Sequence, residues 1–115
     1  MSDIKKLTEK IRKFRDDRDW MQFHNHKDMA ISLVLEANEV LEHFQWKNPK
    51  EIEKHVKEYN TEIGEELADV AKNLFELADN LNIDLAKAIE LKMVKDGEKY
   101  PIEKAKGKHT KYTKL

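Results

Sequence analysis

Two pairs of acidic residues interrupt the apolar patterns of two predicted helices, and they constrain the fold more than any other feature. The pairs are Glu36 with Glu39 and Glu66 with Asp69. Residues three apart lie about 60° apart around an α-helix, so each pair projects two carboxylates from one face. Carboxylates beside a core repel one another and resist desolvation. A hard divalent cation between the two helices is the simplest way to tolerate them.

A solvated surface would explain either pair alone, because the chain has 23 acidic residues. Both pairs adjoin core positions, however, and short connections would make their helices antiparallel neighbours. Carboxylates suit Mg²⁺ or Mn²⁺, whereas imidazole and thiolate suit zinc, copper or iron. No Glu is followed three residues later by His, which argues against a di-iron protein. The acids therefore predict a Mg²⁺ site in which Mn²⁺ could substitute.

Spacing leaves the ligand set open in two respects. Glu62 and Glu65 lie on the same side of the predicted helix as the second pair, and they could be outer groups of the site or plain surface. His43, four residues after the first pair ends, could enter a mixed carboxylate–imidazole site. Periodicity does not choose among these residues.

The apolar residues recur every three or four positions, which predicts an all-α fold. With 3 Gly and 2 Pro the chain has little turn chemistry for an all-β fold. Gly64 is expected to allow a bend in a long third helix. The segment 20–27 is predicted to be an irregular, aromatic connection. The predicted helices cover about residues 3–15, 28–46 with Asp28 as N-cap, 49–81 with Asn48 as N-cap, and 85–97 with Asp84 as N-cap.

The 115 residues are expected to form a bundle of four to five helices. Residues 1–101 are predicted to be the helical catalytic domain and residues 102–115 a basic C-terminal tail. This lysine-rich tail is either a solvated, partly disordered end or a cationic flap over an anionic ligand. The long third helix carries more apolar surface than one small domain covers, which predicts a homo-oligomer.

Several functional classes are disfavoured by composition. The chain has no cysteine, which excludes disulfides, thiolate zinc sites and a cysteine nucleophile. A net charge of −1 predicts no nucleic-acid polymer as partner. No apolar run approaches a transmembrane length and no signal-like start is evident, so a cytoplasmic protein without a membrane partner is expected. Without a Walker-type glycine loop, phosphate would be bound through metal, lysines and helix ends.

An ordered set of sequence motifs, which includes both acid pairs, spans most of the chain. These are Arg18-Asp19-Trp20 with Phe23-His24, Ser32–Lys47 around the first acid pair, Glu65–Val70 around the second, Asn82–Leu85, and Lys92 with Lys99-Tyr100-Pro101. In these residues the chain resembles the all-α nucleoside triphosphate pyrophosphohydrolases, in the MazG-like branch that includes dCTP pyrophosphatases.

The resemblance implies that water attacks the α-phosphorus of a nucleoside triphosphate, expected to be a deoxynucleotide, giving the monophosphate and pyrophosphate for nucleotide-pool housekeeping. It also selects Glu66 over its acidic neighbours and implies a dimer or dimer of dimers. Glu39 is the expected catalytic residue, orienting or deprotonating the water. The implied metal ligands are Glu36, Glu39, Glu66 and Asp69. The implied substrate-binding residues are Trp20, His24, Trp46, Lys92, Asp96, Lys99 and Tyr100.

Asp96 departs from the family pattern, which usually has asparagine there. Asparagine can donate to a phosphate or a sugar hydroxyl, whereas an ionised Asp only accepts. Asp96 would therefore repel phosphate unless it binds metal or is protonated. Two alternatives stay open: a related enzyme acting on a deoxyuridine or phosphoribosyl nucleotide, and a non-catalytic helical oligomerisation or nucleotide-sensing module of the same fold.

Overall fold

The computed structural model describes residues 2–115, and helices are the regular elements of that part of the chain. The predicted all-α class is confirmed. The described residues contain six α-helices rather than four or five, because the predicted third helix is divided and the basic tail forms a short one. The elements are α1 (Asp3–Asp17), a 3₁₀ turn (Met21–Phe23), α2 (His26–Glu42), α3 (Pro49–Glu58), α4 (Asn60–Asn80), α5 (Leu85–Lys99), α6 (Ile102–Ala105) and a 3₁₀ turn (Tyr112–Lys114).

The chain divides into two compact units, one ending at Asn82 and one beginning at Ile83. In the first unit, α4 packs against α2, α1 and α3, and the contact with α2 is the most extensive. This packing brings together the two helices that carry the acid pairs. None of the helices in residues 2–115 is long and apolar enough to cross a membrane.

The start and end of α2 differ from the sequence prediction. Asn25, not Asp28, caps this helix: its side-chain oxygen accepts from the Asp28 backbone N–H at 2.9 Å, and its amide donates to the Asp28 carboxylate at 2.7 Å. Asp28 therefore occupies the third position of the helix, where its charge complements the N-terminus. The helix ends at Glu42, before Trp46, which has a φ of 65° and lies in a turn.

The prediction of one continuous helix over residues 49–81 is wrong. The chain leaves helical geometry at Tyr59, which has φ −113° and ψ 27° and separates α3 from α4. Gly64, where a bend was expected, lies inside the continuous α4. The predicted start at Asn48 is confirmed, since this residue forms a reciprocal capping box with Glu51 and Pro49 occupies the first turn.

The first unit has a thin core. Its buried apolar residues are Met29, Ile63 and Ala78, together with the buried charged residues Arg15 and Glu76. Many large apolar side chains on α2 and α4 stay exposed, among them Val34, Leu35, Leu41 and Leu67. The predicted homo-oligomer would cover such surface, and it stays a prediction.

In the second unit the predicted cap is confirmed, since Asp84 accepts from the Lys87 backbone N–H at 3.1 Å at the start of α5. The basic tail contains α6 and the second 3₁₀ turn rather than extended chain alone. Its Tyr112 ring packs edge-on against Tyr100, with centroids 5.9 Å apart, and Lys99 Nζ lies 4.8 Å from the Tyr112 ring centroid. These contacts anchor the tail to the end of α5.

Replacing Gly64 with alanine is expected to raise the free energy of unfolding by about 0.5–1 kcal/mol, because alanine favours a helix interior. An added Cβ would meet no atom within 4 Å. Chemical denaturation of both proteins measures the change. Gly107→Ala is the matched control: its Cβ is equally free, but its φ of +76° disfavours alanine, so stability should fall. A destabilised Gly64→Ala protein would contradict the open environment of this helix face.

Candidate active site

The structure brings the four predicted acids together where α2 packs against α4. The clearest sign of their proximity is the pKa of Glu36, which is raised from its ordinary value of 4.5. Burial is the largest cause, followed by the negative charges of Glu39 and Asp69; a hydrogen bond with Glu39 and the charge of Glu66 add to it. The helical spacing within each pair and the packing between the helices thus create one concentrated negative site.

The chemistry of these carboxylates fits a hard cation. Glu36 Oε2 and Glu66 Oε2 are buried without a hydrogen-bond partner among the described residues. Such oxygens are costly unless a cation or proton reaches them. Within residues 2–115, no three or more Asp, Glu, His or Cys side chains form a group that could hold a metal ion. Glu39 is exposed, and the four acids supply carboxylate oxygens of the kind that a hard cation prefers.

His43 adjoins this site and contacts one of its acids. Its Nε2 closely approaches Oε2 of Glu66, which accepts no hydrogen bond, and its Nδ1 lies 2.7 Å from Nε2 of His55. The His55 ring stacks on Tyr59, with centroids 4.6 Å apart. Partial burial, and then the positive charge of Lys47, lower the pKa of His55. The two nitrogens of His43 thus face Glu66 and His55, and the mixed site left open by spacing stays a prediction.

Three predicted site residues line one cleft of the first unit. The cleft has a volume of about 130 Å³ and includes Trp20, His24 and Asp69. It joins the aromatic segment after α1 to the acid-bearing face of α4. Its other lining residues are Ile11, Phe14, Arg15, Lys72, Asn73 and Glu76.

Arg15 and Glu76 also line this cleft, and the sequence pattern does not predict them as site residues. Both are buried, with side-chain exposures of 9%, and Arg15 Nη1 lies 3.4 Å from Glu76 Oε1. A signal was available: Glu76 follows Asp69 by seven residues, which places both on one face of a helix. An acid on that face needs a partner, but the sequence does not say that Arg15 of α1 supplies it.

Trp46 does not join this cleft. It lies in the turn after α2 with 91% of its surface exposed. Its predicted role in nucleotide binding stays a prediction.

The remaining predicted substrate-binding residues lie in the second half of α5 or directly after it. Lys92 donates a hydrogen bond to the carboxylate of Asp96, one helical turn away. Lys99 and Tyr100 contact Tyr112 of the tail. The residue that departs from the family pattern thus neutralises one of the lysines expected to face phosphate.

The sequence profile described as the MazG-like family matches residues 31–115. The chain belongs to the MazG-like family. The matched range contains all four acids and the basic tail, and the resemblance inferred from the motifs is confirmed.

Named relatives agree with this MazG-like assignment. The chain is similar to dCTP pyrophosphatase 1 of Rattus norvegicus, at 34% identity over 117 residues, covering 100% of this chain and 67% of that protein. The Homo sapiens dCTP pyrophosphatase 1 is 34% identical over 125 residues, with coverages of 100% and 67%. A crystal structure of a pyrophosphatase from Archaeoglobus fulgidus DSM 4304 superposes with a TM-score of 0.82 at 35% identity, covering 88% of this chain and 94% of that one.

Glu36→Gln is expected to stabilise the metal-free protein increasingly as pH rises. Because the pKa of Glu36 is raised above 4.5 in the folded protein, its contribution to stability is fully present below that pH and is lost as pH rises through the folded pKa. Glutamine does not ionise and avoids this loss. Thermal melts in a chelator between pH 4 and pH 8 should show a Tm difference that widens with pH.

The exposed Glu62→Gln is the control for this series, since Glu62 lies outside the four-acid site. Its Tm difference from the unmodified protein should stay small and nearly constant with pH. A Glu36→Gln difference that is equally independent of pH would contradict the raised pKa.

Proposed function

We propose that this MazG-like protein is a divalent-metal-dependent nucleoside triphosphate pyrophosphohydrolase that cleaves at the α-phosphorus, releasing a nucleoside monophosphate and pyrophosphate. The observation that carries the proposal is the proximity of four acids between α2 and α4, where Glu36 Oε2 is buried without a hydrogen-bond partner in the described chain. The names of the relatives support the nucleotide pyrophosphatase class and make dCTP the first substrate to test.

In this proposal Glu36, Glu39, Glu66 and Asp69 would hold Mg²⁺, with Mn²⁺ able to replace it. When bound, the cation would neutralise charge on the polyphosphate and polarise the attacked phosphate group. The raised pKa of Glu36 supports this assignment, because a cation favours the ionised form that burial and neighbouring carboxylates disfavour.

Glu39 is the proposed catalytic residue. It is the exposed member of the first pair, and its negative charge is one of the causes that raise the pKa of Glu36. A carboxylate that is not wholly committed to a metal could orient the attacking water and accept its proton.

The cleft beside Asp69 would receive part of the nucleotide, with Trp20 and His24 as its contacts. Lys92, Lys99 and Tyr100 are proposed to contact the phosphates and nucleoside, and Trp46 to cover the base. The exposed apolar residues of α2 and α4 support a proposed homo-oligomer, a dimer or dimer of dimers. A cytoplasmic location and a role in nucleotide-pool housekeeping complete the proposal.

A nucleotide-sensing module without turnover is the second candidate function. The observation that favours it is the contact between Lys92 and Asp96, since a lysine already paired with a carboxylate attracts phosphate less. This candidate predicts nucleotide binding without release of pyrophosphate.

Glu39→Gln is expected to lower turnover at least about 100-fold, the range associated with general acid–base residues, while leaving the helices intact. The assay incubates deoxy- and ribonucleoside triphosphates with Mg²⁺ and measures both monophosphate and pyrophosphate. Glu62→Gln is the matched control and should keep full activity. A fully active Glu39→Gln protein would defeat the assignment, and release of orthophosphate would mean that a different bond is cleaved.

Asp96→Asn is expected to lower the KM for a triphosphate by up to about fivefold. It frees Lys92 from an exposed ion pair, whose worth is at most about 1 kcal/mol, and removes a charge that repels phosphate. Glu90→Gln, another exposed acid of α5, is the control and should leave KM nearly unchanged. Weaker nucleotide binding by Asp96→Asn would instead indicate that Asp96 is a metal ligand.

A further inference from the structure

A buried ion pair stands directly behind His24 in the cleft. Oε1 of Glu76 lies 2.7 Å from Nδ1 of His24 and 3.4 Å from Nη1 of Arg15. The side chains of Glu76 and Arg15 are each 9% exposed, whereas that of His24 is 29% exposed. Oε1 of Glu76 therefore contacts both His24, which lines the cleft, and the buried guanidinium of Arg15.

Arg15 gives Glu76 a positive partner inside the unit. A guanidinium is always protonated, and a buried one requires an opposite charge nearby. Arg15 is held in place by two further bonds, from Nε to Asp16 Oδ1 at 2.8 Å and from Nη1 to Asn80 Oδ1 at 3.1 Å. These bonds orient Arg15 so that Glu76 is its counter-charge inside the unit.

An ionised carboxylate only accepts hydrogen bonds, so the proton between His24 and Glu76 must be on Nδ1. A neutral imidazole has a single N–H, which leaves Nε2 with a free lone pair. In residues 2–115, Nε2 of His24 has no hydrogen-bond partner of its own. His24 thus offers an acceptor to a molecule in the cleft.

The size and walls of the cleft indicate which part of a nucleotide reaches it. At about 130 Å³ it is smaller than the roughly 300 Å³ at which whole-ligand pockets begin. Trp20 lines it with 43% of its surface exposed, and an aromatic face of this kind suits stacking on a base. A single base, rather than a whole nucleotide, matches this space.

We propose that Glu76, held by Arg15, is a positioning residue that fixes His24 with its proton on Nδ1, so that Nε2 accepts a hydrogen bond from an amino-bearing base. A base with a carbonyl at the same place would set two acceptors against each other and bind less well. The proposal rests on the proposed function, since it concerns the base of the same triphosphate.

The first test measures the histidine directly and needs no turnover. The ¹⁵N chemical shifts of His24 in the full chain distinguish the two neutral tautomers. We expect the proton on Nδ1 in the unmodified protein and in Glu76→Gln, whose amide oxygen can accept from both His24 and Arg15. In the double variant Arg15→Met with Glu76→Leu, the Nδ1 preference should be lost. A proton on Nε2 in the unmodified protein overturns the proposal.

The double variant is chosen because replacing both members of a buried ion pair with apolar residues of similar size is often tolerated. Far-ultraviolet circular dichroism checks that its helices are intact. The tautomer of the unmodified protein keeps the proposal falsifiable even where the double variant does not fold.

The second test compares kcat/KM for dCTP, which carries an amino group, and dUTP, which carries a carbonyl at the same ring position. The unmodified protein should prefer dCTP, Glu76→Gln should retain the preference, and the double variant should lose about tenfold of it, as expected for one hydrogen bond. Equal preference in the folded double variant and the unmodified protein overturns the positioning role. Absence of any triphosphate turnover, with the Nδ1 proton present, would refute the proposed function alone.

Discussion

The packing of α2 against α4 is the contact on which the candidate site depends, and it conflicts with the charges that it brings together. The same interface that organises the first unit places Glu36 beside three other carboxylates and raises its pKa. Burial without a counter-charge is unfavourable for an acid, yet Glu36 keeps a buried oxygen without a hydrogen-bond partner in the described chain. Helices joined for structural reasons alone would gain stability from an apolar residue at this position, and the conflict supports the proposed cation.

A second buried acid on α4, Glu76, is stabilised differently, by contacts with other side chains of the protein. Glu76 lies on the same face as Asp69, two turns further along, but it contacts the guanidinium of Arg15 and the ring of His24. One face of α4 therefore carries Asp69, a proposed metal ligand, and Glu76, which has partners within the protein. Both line the cleft together with His24, so under the proposed function a nucleotide there would lie near Asp69 and His24.

Local chemistry explains which parts of the fold could be predicted from the sequence. The caps at Asn48 and Asp84 were identified because capping involves residues three apart in the chain, and the structure has both. The cap at Asn25 was missed because Asp28 has equal capping chemistry three residues later. The break at Tyr59 was missed because the apolar period continues through it, while Gly64, the weaker helix former, is retained inside α4. The intrinsic helix propensity of a single residue contributes little free energy, and the packing of α3 and α4 overrides it here.

By itself, the sequence determined the helical class, the two acid pairs and the family to which the chain belongs, because these depend on residue type and spacing along the chain. The tertiary structure alone decided which groups meet across helices. It paired His43 with His55, placed Glu76 between Arg15 and His24, and left Trp46 outside the cleft. Such contacts join residues up to about sixty positions apart, and their partners are set by how the helices pack, which no local period specifies.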